Sequence, residues 1–117
     1  MNNVILMGRL GKDLELKTND KGSSTFGSIA LDESYKNDKG EKVEKTVWVS
    51  FNLYGKIAEN TVKYAGKKGN RLILMGKLDN FKGKDDKYAQ LTFKPLNVQF
   101  VDFNDKKTQE ENKEVPF

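Results

Sequence analysis

At 117 residues the chain fits one domain with a modest core and is too short for two. It contains no Cys and no His, which excludes a disulfide framework, the usual zinc sites and His-based acid–base or nucleophilic catalysis. The net charge of +4 is uneven: residues 102–117 hold three Lys against five Asp and Glu, leaving 18 Lys and Arg against 12 acids in the first 101, and a basic body of this kind suits a polyanion as well as it suits plain solvation.

No apolar run nears the roughly 20 residues that cross a bilayer, and the opening residues lack the long apolar core of a signal peptide. The expectation is a soluble intracellular protein. From Asn2 to about Thr18 the pattern predicts a strand, interrupted at Gly8, then a second extended piece through "LELK". "NDKGSS" (Asn19–Ser24) is turn chemistry. Ser24–Tyr35 reads as extended, "KNDKGEK" (Lys36–Lys42) as a hairpin tip, and Val43–Tyr54 as the clearest strand in the chain.

In "VWVSFNLY" the positions Val47, Val49, Phe51 and Leu53 are large and apolar, while Trp48, Ser50, Asn52 and Tyr54 alternate with them. A period of two assigns the first set to a core and leaves two aromatic rings outside. "GKIAENTVKYAGKKGN" offers one helix, about Lys56–Ala65, with Ile57, Thr61 and Tyr64 or Ala65 on its buried face and Gly66 and Gly69 as stop signals. Strands follow at Arg71–Phe81 and Lys87–Asp102 around a "KGKDD" tip at Lys82–Asp86. In the last strand Ala89, Leu91 and Phe93 share one parity and Leu96, Val98 and Phe100 the other, which predicts a bulge near Lys94–Pro95.

Five strands with a helix between the third and fourth predict an all-β OB-fold, a partly open Greek-key barrel. "VILMGRL" (Val4–Leu10) returns as "LILMGKL" (Leu72–Leu78), and the resemblance stops there. A tandem repeat would extend further, and a phosphate-cradling loop would carry clustered glycines. The remaining reading is two neighbouring strands that bend alike, with Gly8 and Gly76 at the corners.

A small basic barrel with exposed rings suggests a groove for single-stranded nucleic acid, where bases stack on aromatic side chains and cations follow the phosphates. Trp48 and Tyr54 lead the stacking candidates; Tyr35, Phe81 and Tyr88 stand near strand ends beside the Lys-rich tips. Parity counted from Ile29 sends Tyr35 inward unless a bulge or twist intervenes, and Phe26, Phe93 and Phe100 are assigned to the core. The phosphate candidates are Arg9, Lys36, Lys42, Lys56, Lys77, Lys82, Lys84 and Lys87. Asp13, Glu15, Asp32 and Glu33 form no dedicated metal constellation, so no cofactor and no metal is expected, and neither is an enzyme. An interaction adaptor with vestigial nucleic-acid binding is the competing class, and a carboxylate–metal nuclease a distant third. Stacking and phosphate contacts alone do not separate DNA from RNA.

"NNVILMGRLGKDLEL", "TVWVSFNLYGKIAENTVKYAGKKG", "LILMGKL" and "LNVQFVD" together resemble the bacterial single-stranded DNA-binding protein family across nearly all of residues 2–103. The resemblance implies an OB-fold domain at 1–103, assembly as a homotetramer or a dimer, and binding of single-stranded DNA without sequence preference in replication, recombination and repair. It also implies a cytoplasmic, nucleoid-associated place in a prokaryotic or phage-infected cell. The family's stacking aromatics map onto Tyr35 in "DESY", Trp48 in "TVW", Tyr54 in "LYGK" and Phe81 in "LDNF". "EENKEVPF" is similar to the family's acidic tip, so residues 104–117 are expected to form a short tail whose Glu114, Val115, Pro116 and Phe117 recruit replication and repair proteins. Leu14 stands where the family commonly has Pro.

Overall fold

A computed structural model of the chain describes residues 1–82 and 89–104, with backbone alone at 81, 82, 89 and 90. The principal strands are β1 (Val4–Leu10), β3 (Gly22–Asp32), β6 (Thr46–Tyr54), β7 (Arg71–Lys82) and β8 (Ala89–Phe100). Three short segments decorate them: β2 (Lys17–Asn19), and a small ribbon of β4 (Tyr35–Lys36) with β5 (Lys42–Val43). The helix α1 (Gly55–Ala65) lies between β6 and β7. Across the sheet the strands run β6-β3-β1-β7-β8, all antiparallel. The fourth long strand therefore returns beside the first, the Greek-key order expected of an OB-fold.

The repeated line pairs with itself. Val4 faces Gly76, Leu6 faces Leu74 and Gly8 faces Leu72, so each glycine sits opposite the first residue of the other copy. Neither glycine adopts a positive φ; close approach of backbone is the reason for both. A Cβ on Gly8 would meet the Ala30 carbonyl oxygen at 2.6 Å, and one on Gly76 would overlap the carbonyl of Lys94. Gly76 also marks the predicted bulge: Met75 pairs with Asn97 and Gly76 with Pro95, leaving Leu96 as the extra residue.

Alternate residues of the curled sheet turn inward. Leu10, Ile29, Phe51, Leu53, Leu72 and Leu74 are buried there and α1 closes the end of the core with Ala58, Thr61 and Ala65. The helix rests on these small side chains, so Ile57, expected on its buried face, is 36% exposed. Buried Thr61 donates back to the Ile57 carbonyl and buried Thr25 to that of Glu15, so neither hydroxyl is left unpaired. Leu14 is buried, and its N–H donates to the Gly66 carbonyl at 2.7 Å. Proline has no such donor, which accounts for leucine at this point.

The end of α1 is held by two asparagines. Asn70 donates to the Ala65 carbonyl and Asn104 to that of Lys63, while the Asn104 N–H reaches Tyr64 O. These bonds satisfy carbonyls that a helix C-terminus leaves without intrahelical partners. No helix among the described residues is long and apolar enough to cross a membrane.

Candidate nucleic-acid interface

Period-two alternation in β6 is complete: Phe51 and Leu53 are buried, Val47 and Val49 half-buried, and Trp48, Ser50, Asn52 and Tyr54 exposed. The neighbouring strand obeys the same rule in register. Ser24 pairs with Tyr54, Phe26 with Asn52, Ser28 with Ser50 and Ala30 with Trp48. Residues directly opposite in a ladder share a face, so Phe26, Trp48 and Tyr54 stand together outside the barrel. Trp48 is 60% exposed, Tyr54 67% and Phe26 53%.

Phe26 corrects the sequence-based assignment, which put it in the core. Thr25, Gly27 and Ile29 are the inward residues of β3, and Phe26 has the opposite parity. The signal was present: counting from Ile29 sends Phe26 outward. The same count sent Tyr35 inward, yet it is 54% exposed, because β3 ends at Asp32 and the chain re-enters as β4 after a break at Glu33–Ser34. Phe93 and Phe100 do pack against the core, whereas Leu91 and Leu96 are exposed.

A polar row crosses the sheet beside the rings. Trp48 pairs with Ala30, Ala30 with Arg9 and Arg9 with Arg71, so all four share the outer face. Arg71 binds Asp102 in a fork, Nε to Oδ2 at 3.0 Å and Nη2 to Oδ1 at 3.2 Å. These hydrogen bonds raise the Arg71 pKa and hold the Asp102 carboxyl below its ordinary value. Arg9 donates to the Gly69 carbonyl and forms no ion pair among the described residues. Below the row, where β1 and β3 diverge, lies a concavity of about 310 Å³ lined by residues including Met7, Gly8, Arg9, Ala30 and Asp32. Hydrogen bonds from Ser34 keep Asp32 below the usual carboxylate range, with a smaller contribution from Lys42.

Several other cations stand where local stability disfavours them. Lys36 lies directly opposite Lys42 in the β4–β5 ribbon, and Lys77 opposite Lys94 on the outer face of β7–β8; like charges so placed repel. Lys56 occupies the first turn of α1, beside Tyr54, where no acidic residue answers the positive end of the helix dipole. The sheet brings Arg9, Trp48 and Tyr54 to one face, with Lys56 following Tyr54 and Tyr35, Lys36 and Lys42 on the adjoining ribbon. Lys77 is separated from Trp48 by two intervening strands. Phe81 and Lys82 are described by backbone alone; Lys84, Lys87, Tyr88 and the tip Glu114, Val115, Pro116 and Phe117 lie outside the described residues. Among the described residues no three His, Cys, Asp or Glu side chains gather to hold a metal ion.

Residues 1–112 match the family described as the single-strand binding protein family. The chain belongs to this family. Its members are non-enzymatic binding proteins, which sets the nuclease reading aside. Curated relatives include a single-stranded DNA-binding protein of Neisseria meningitidis serogroup A, 36% identical over 73% of this chain and 50% of its own length. Single-stranded DNA-binding protein 1 of Chlorobaculum tepidum is 34% identical over 76% of this chain and 58% of its own. The chain thus spans about half the length of the curated relatives it matches.

Solved structures agree on the fold. The single-stranded DNA-binding protein from Thermus aquaticus superposes with a TM-score of 0.71 at 18% identity, over 87% of this chain and 50% of that one. The Plasmodium falciparum protein in complex with single-stranded DNA gives 0.69 at 22%, over 90% and 96%. Both support the OB-fold architecture reached from the strand order.

Proposed function

We propose that this chain binds single-stranded DNA without sequence preference, stacking unpaired bases on Trp48, Tyr54 and Phe26 and extending onto Tyr35, while Arg9, Lys36, Lys42 and Lys56 follow the phosphates. The observation that carries the reading is that large rings occupy the solvent face of β3–β6 while the inner face is filled without them. Exposed rings in a β-sheet contribute little to a core that is already packed, yet each offers a π-face to a base. The choice of DNA over RNA rests on family membership and on the relatives' names. Coating of exposed strands in replication, recombination and repair, in the cytoplasm of a prokaryotic or phage-infected cell, follows from the same reading.

Assembly of copies belongs to the proposal. Ile5 and Met7 are 69% and 55% exposed on the outer face of β1, beside half-buried Ile73 and Met75 on β7. This aliphatic strip suits a second copy of the chain in a homotetramer or dimer. The C-terminal Glu114, Val115, Pro116 and Phe117 are proposed to recruit partner proteins by an acidic, aromatic-ended tip.

Trp48 is the chain's one tryptophan, so its emission reports on the site alone. Titration with oligothymidine at low salt is expected to quench that emission, and native mass measured with and without the oligonucleotide gives the number of copies per complex. An unquenched signal with no change of mass favours the adaptor reading and rejects this one.

A further inference from the structure

β1 ends at Leu10, and the next residue, Gly11, carries the register with β3 one step further, its N–H donating to the Ser28 carbonyl at 3.0 Å. A Cβ placed on Gly11 would lie 2.7 Å from Cζ3 and 3.2 Å from Cη2 of Trp48. The outer, six-membered ring of the indole therefore touches the Gly11 backbone. Trp48 is rooted on β6, with β3 between β6 and the end of β1. To reach Gly11 its ring must cross β3, and the residues there, Ser28 and Ala30, are small. A hydroxymethyl, a methyl and a bare Cα leave a shallow seat for the ring.

From this geometry we infer that Gly11 is a positioning residue for strand binding: it lets the Trp48 indole lie across β3 with one π-face against the protein and the other turned out to receive a base. The inference rests on the stacking function proposed above and specifies how its main ring is prepared. A ring already held in its bound orientation forfeits less rotational freedom when a base arrives, so affinity gains from preorganisation. Carbon–carbon contacts are comfortable at about 3.5–4.0 Å. A methyl on Gly11 therefore forces the ring to turn by moving its far edge roughly 1 Å. Gly11 has no positive φ, so alanine imposes no backbone strain; the larger displacement falls on the indole, while Ser28 Oγ, 3.3 Å from the added carbon, needs to give only slightly.

Three substitutions, Gly11→Ala, Trp48→Phe and Trp48→Ala, with the first two also combined, test this, using fluorescein-labelled oligothymidine anisotropy for affinity and, where Trp48 is kept, its emission for ring mobility. Gly11→Ala is expected to weaken oligothymidine binding about three- to tenfold and, in the free protein, to raise acrylamide quenching and lower indole anisotropy. Phenylalanine lacks the two carbons that meet Gly11, so adding Gly11→Ala to Trp48→Phe is expected to change affinity less than twofold. Equal losses in both backgrounds overturn the seat and indicate a general distortion. If Gly11→Ala binds as the wild type while Trp48→Ala does not, the seat is wrong and stacking stands. If Trp48→Ala itself binds as the wild type, the stacking function and this inference fall together. The unaltered protein gives a check free of any folding defect: nanosecond anisotropy of Trp48 is expected to show a ring turning with the whole molecule, and fast independent rotation refutes the seat.

Discussion

Replacing Trp48 by alanine removes the largest ring from the proposed groove and leaves the inward face of β6 untouched. Stacking of one base on an aromatic side chain contributes roughly 1–3 kcal/mol, a range in which single-stranded DNA-binding proteins are themselves among the systems considered, so it is an input here and not a result. The indole is 60% exposed, its remainder already covered by protein. Scaling the upper end of the range by that fraction gives about 1.8 kcal/mol, or roughly a 20-fold rise in Kd. Anisotropy of labelled oligothymidine is the assay, because the variant has no tryptophan to observe, and it should be run across a salt series. A lost stacking contact lowers affinity at every salt concentration but displaces no phosphate-bound cation, so the slope of log K against log salt stays as in the wild type. A Kd within twofold of wild type, or a loss that vanishes at high salt, refutes the assignment of Trp48 to stacking.

The lysine pair gives the complementary signature: Lys36→Ala with Lys42→Ala should flatten the salt slope by about 1.4, since each phosphate neutralised on a single strand contributes roughly 0.7, and an unchanged slope removes both residues from the DNA path. Leu14→Ala should cost about 2–5 kcal/mol in urea unfolding, because a buried leucine is truncated inside the core; Leu14→Pro, which deletes the N–H bonded to Gly66, should destabilise as well. The Asp102 carboxyl is held below its ordinary 3.8 by its bonds to Arg71. The stabilisation this supplies is complete above the unfolded value and is lost as pH falls through the lower folded one, so the melting temperature should drop in strong acid by less in Asp102→Asn than in the wild type. An equal acid-induced fall in both proteins shows that this pair carries no linkage.

The strands of the barrel were legible because β6 alternates without exception and because turn residues separate the extended runs. The bulge was legible for a related reason: Phe93 and Val98 both pack on the core although their separation is odd, and only an inserted residue permits that. Parity failed between Asp32 and Tyr35, where the Ser34 N–H turns back onto the Asp32 carboxylate and the alternation of β3 does not carry across into β4. At Phe26 parity holds and composition misleads: phenylalanine generally favours interiors, yet its position in β3 points outward. The helix face was legible at Thr61 and Ala65 but not at Ile57, because small side chains such as Ala58, not the isoleucine, let α1 approach the sheet. The Arg9–Arg71–Asp102 group was not legible in the sequence, because its members meet only through two registers, β1 on β7 for Arg9 and β8 on β7 for Asp102.

The repeated line decides which side chains reach the outer face, and so how the proposed assembly and the proposed DNA site divide it. Because the copies pair with each other, the outer face of β1–β7 shows the line's own alternate residues, Ile5 and Met7 against Ile73 and Met75, which are aliphatic. The rings stand on β3–β6, two strands whose sequences are free of that constraint. Aliphatic side chains offer no π-face to a base, and rings flanked by cations that form no ion pair among the described residues make a poor dry interface with a copy bearing the same charge. The outer sheet is thereby divided into a zone suited to protein and a zone suited to nucleic acid, with Arg9 and the Arg71–Asp102 pair at their boundary. An assembly that covers Ile5 and Met7 while leaving Trp48 open serves both, so introducing a charge at Ile5 should dissociate copies yet preserve the quenching of Trp48 by oligothymidine in each separated chain. Loss of both together would mean that the groove is built between subunits and is not a property of one sheet.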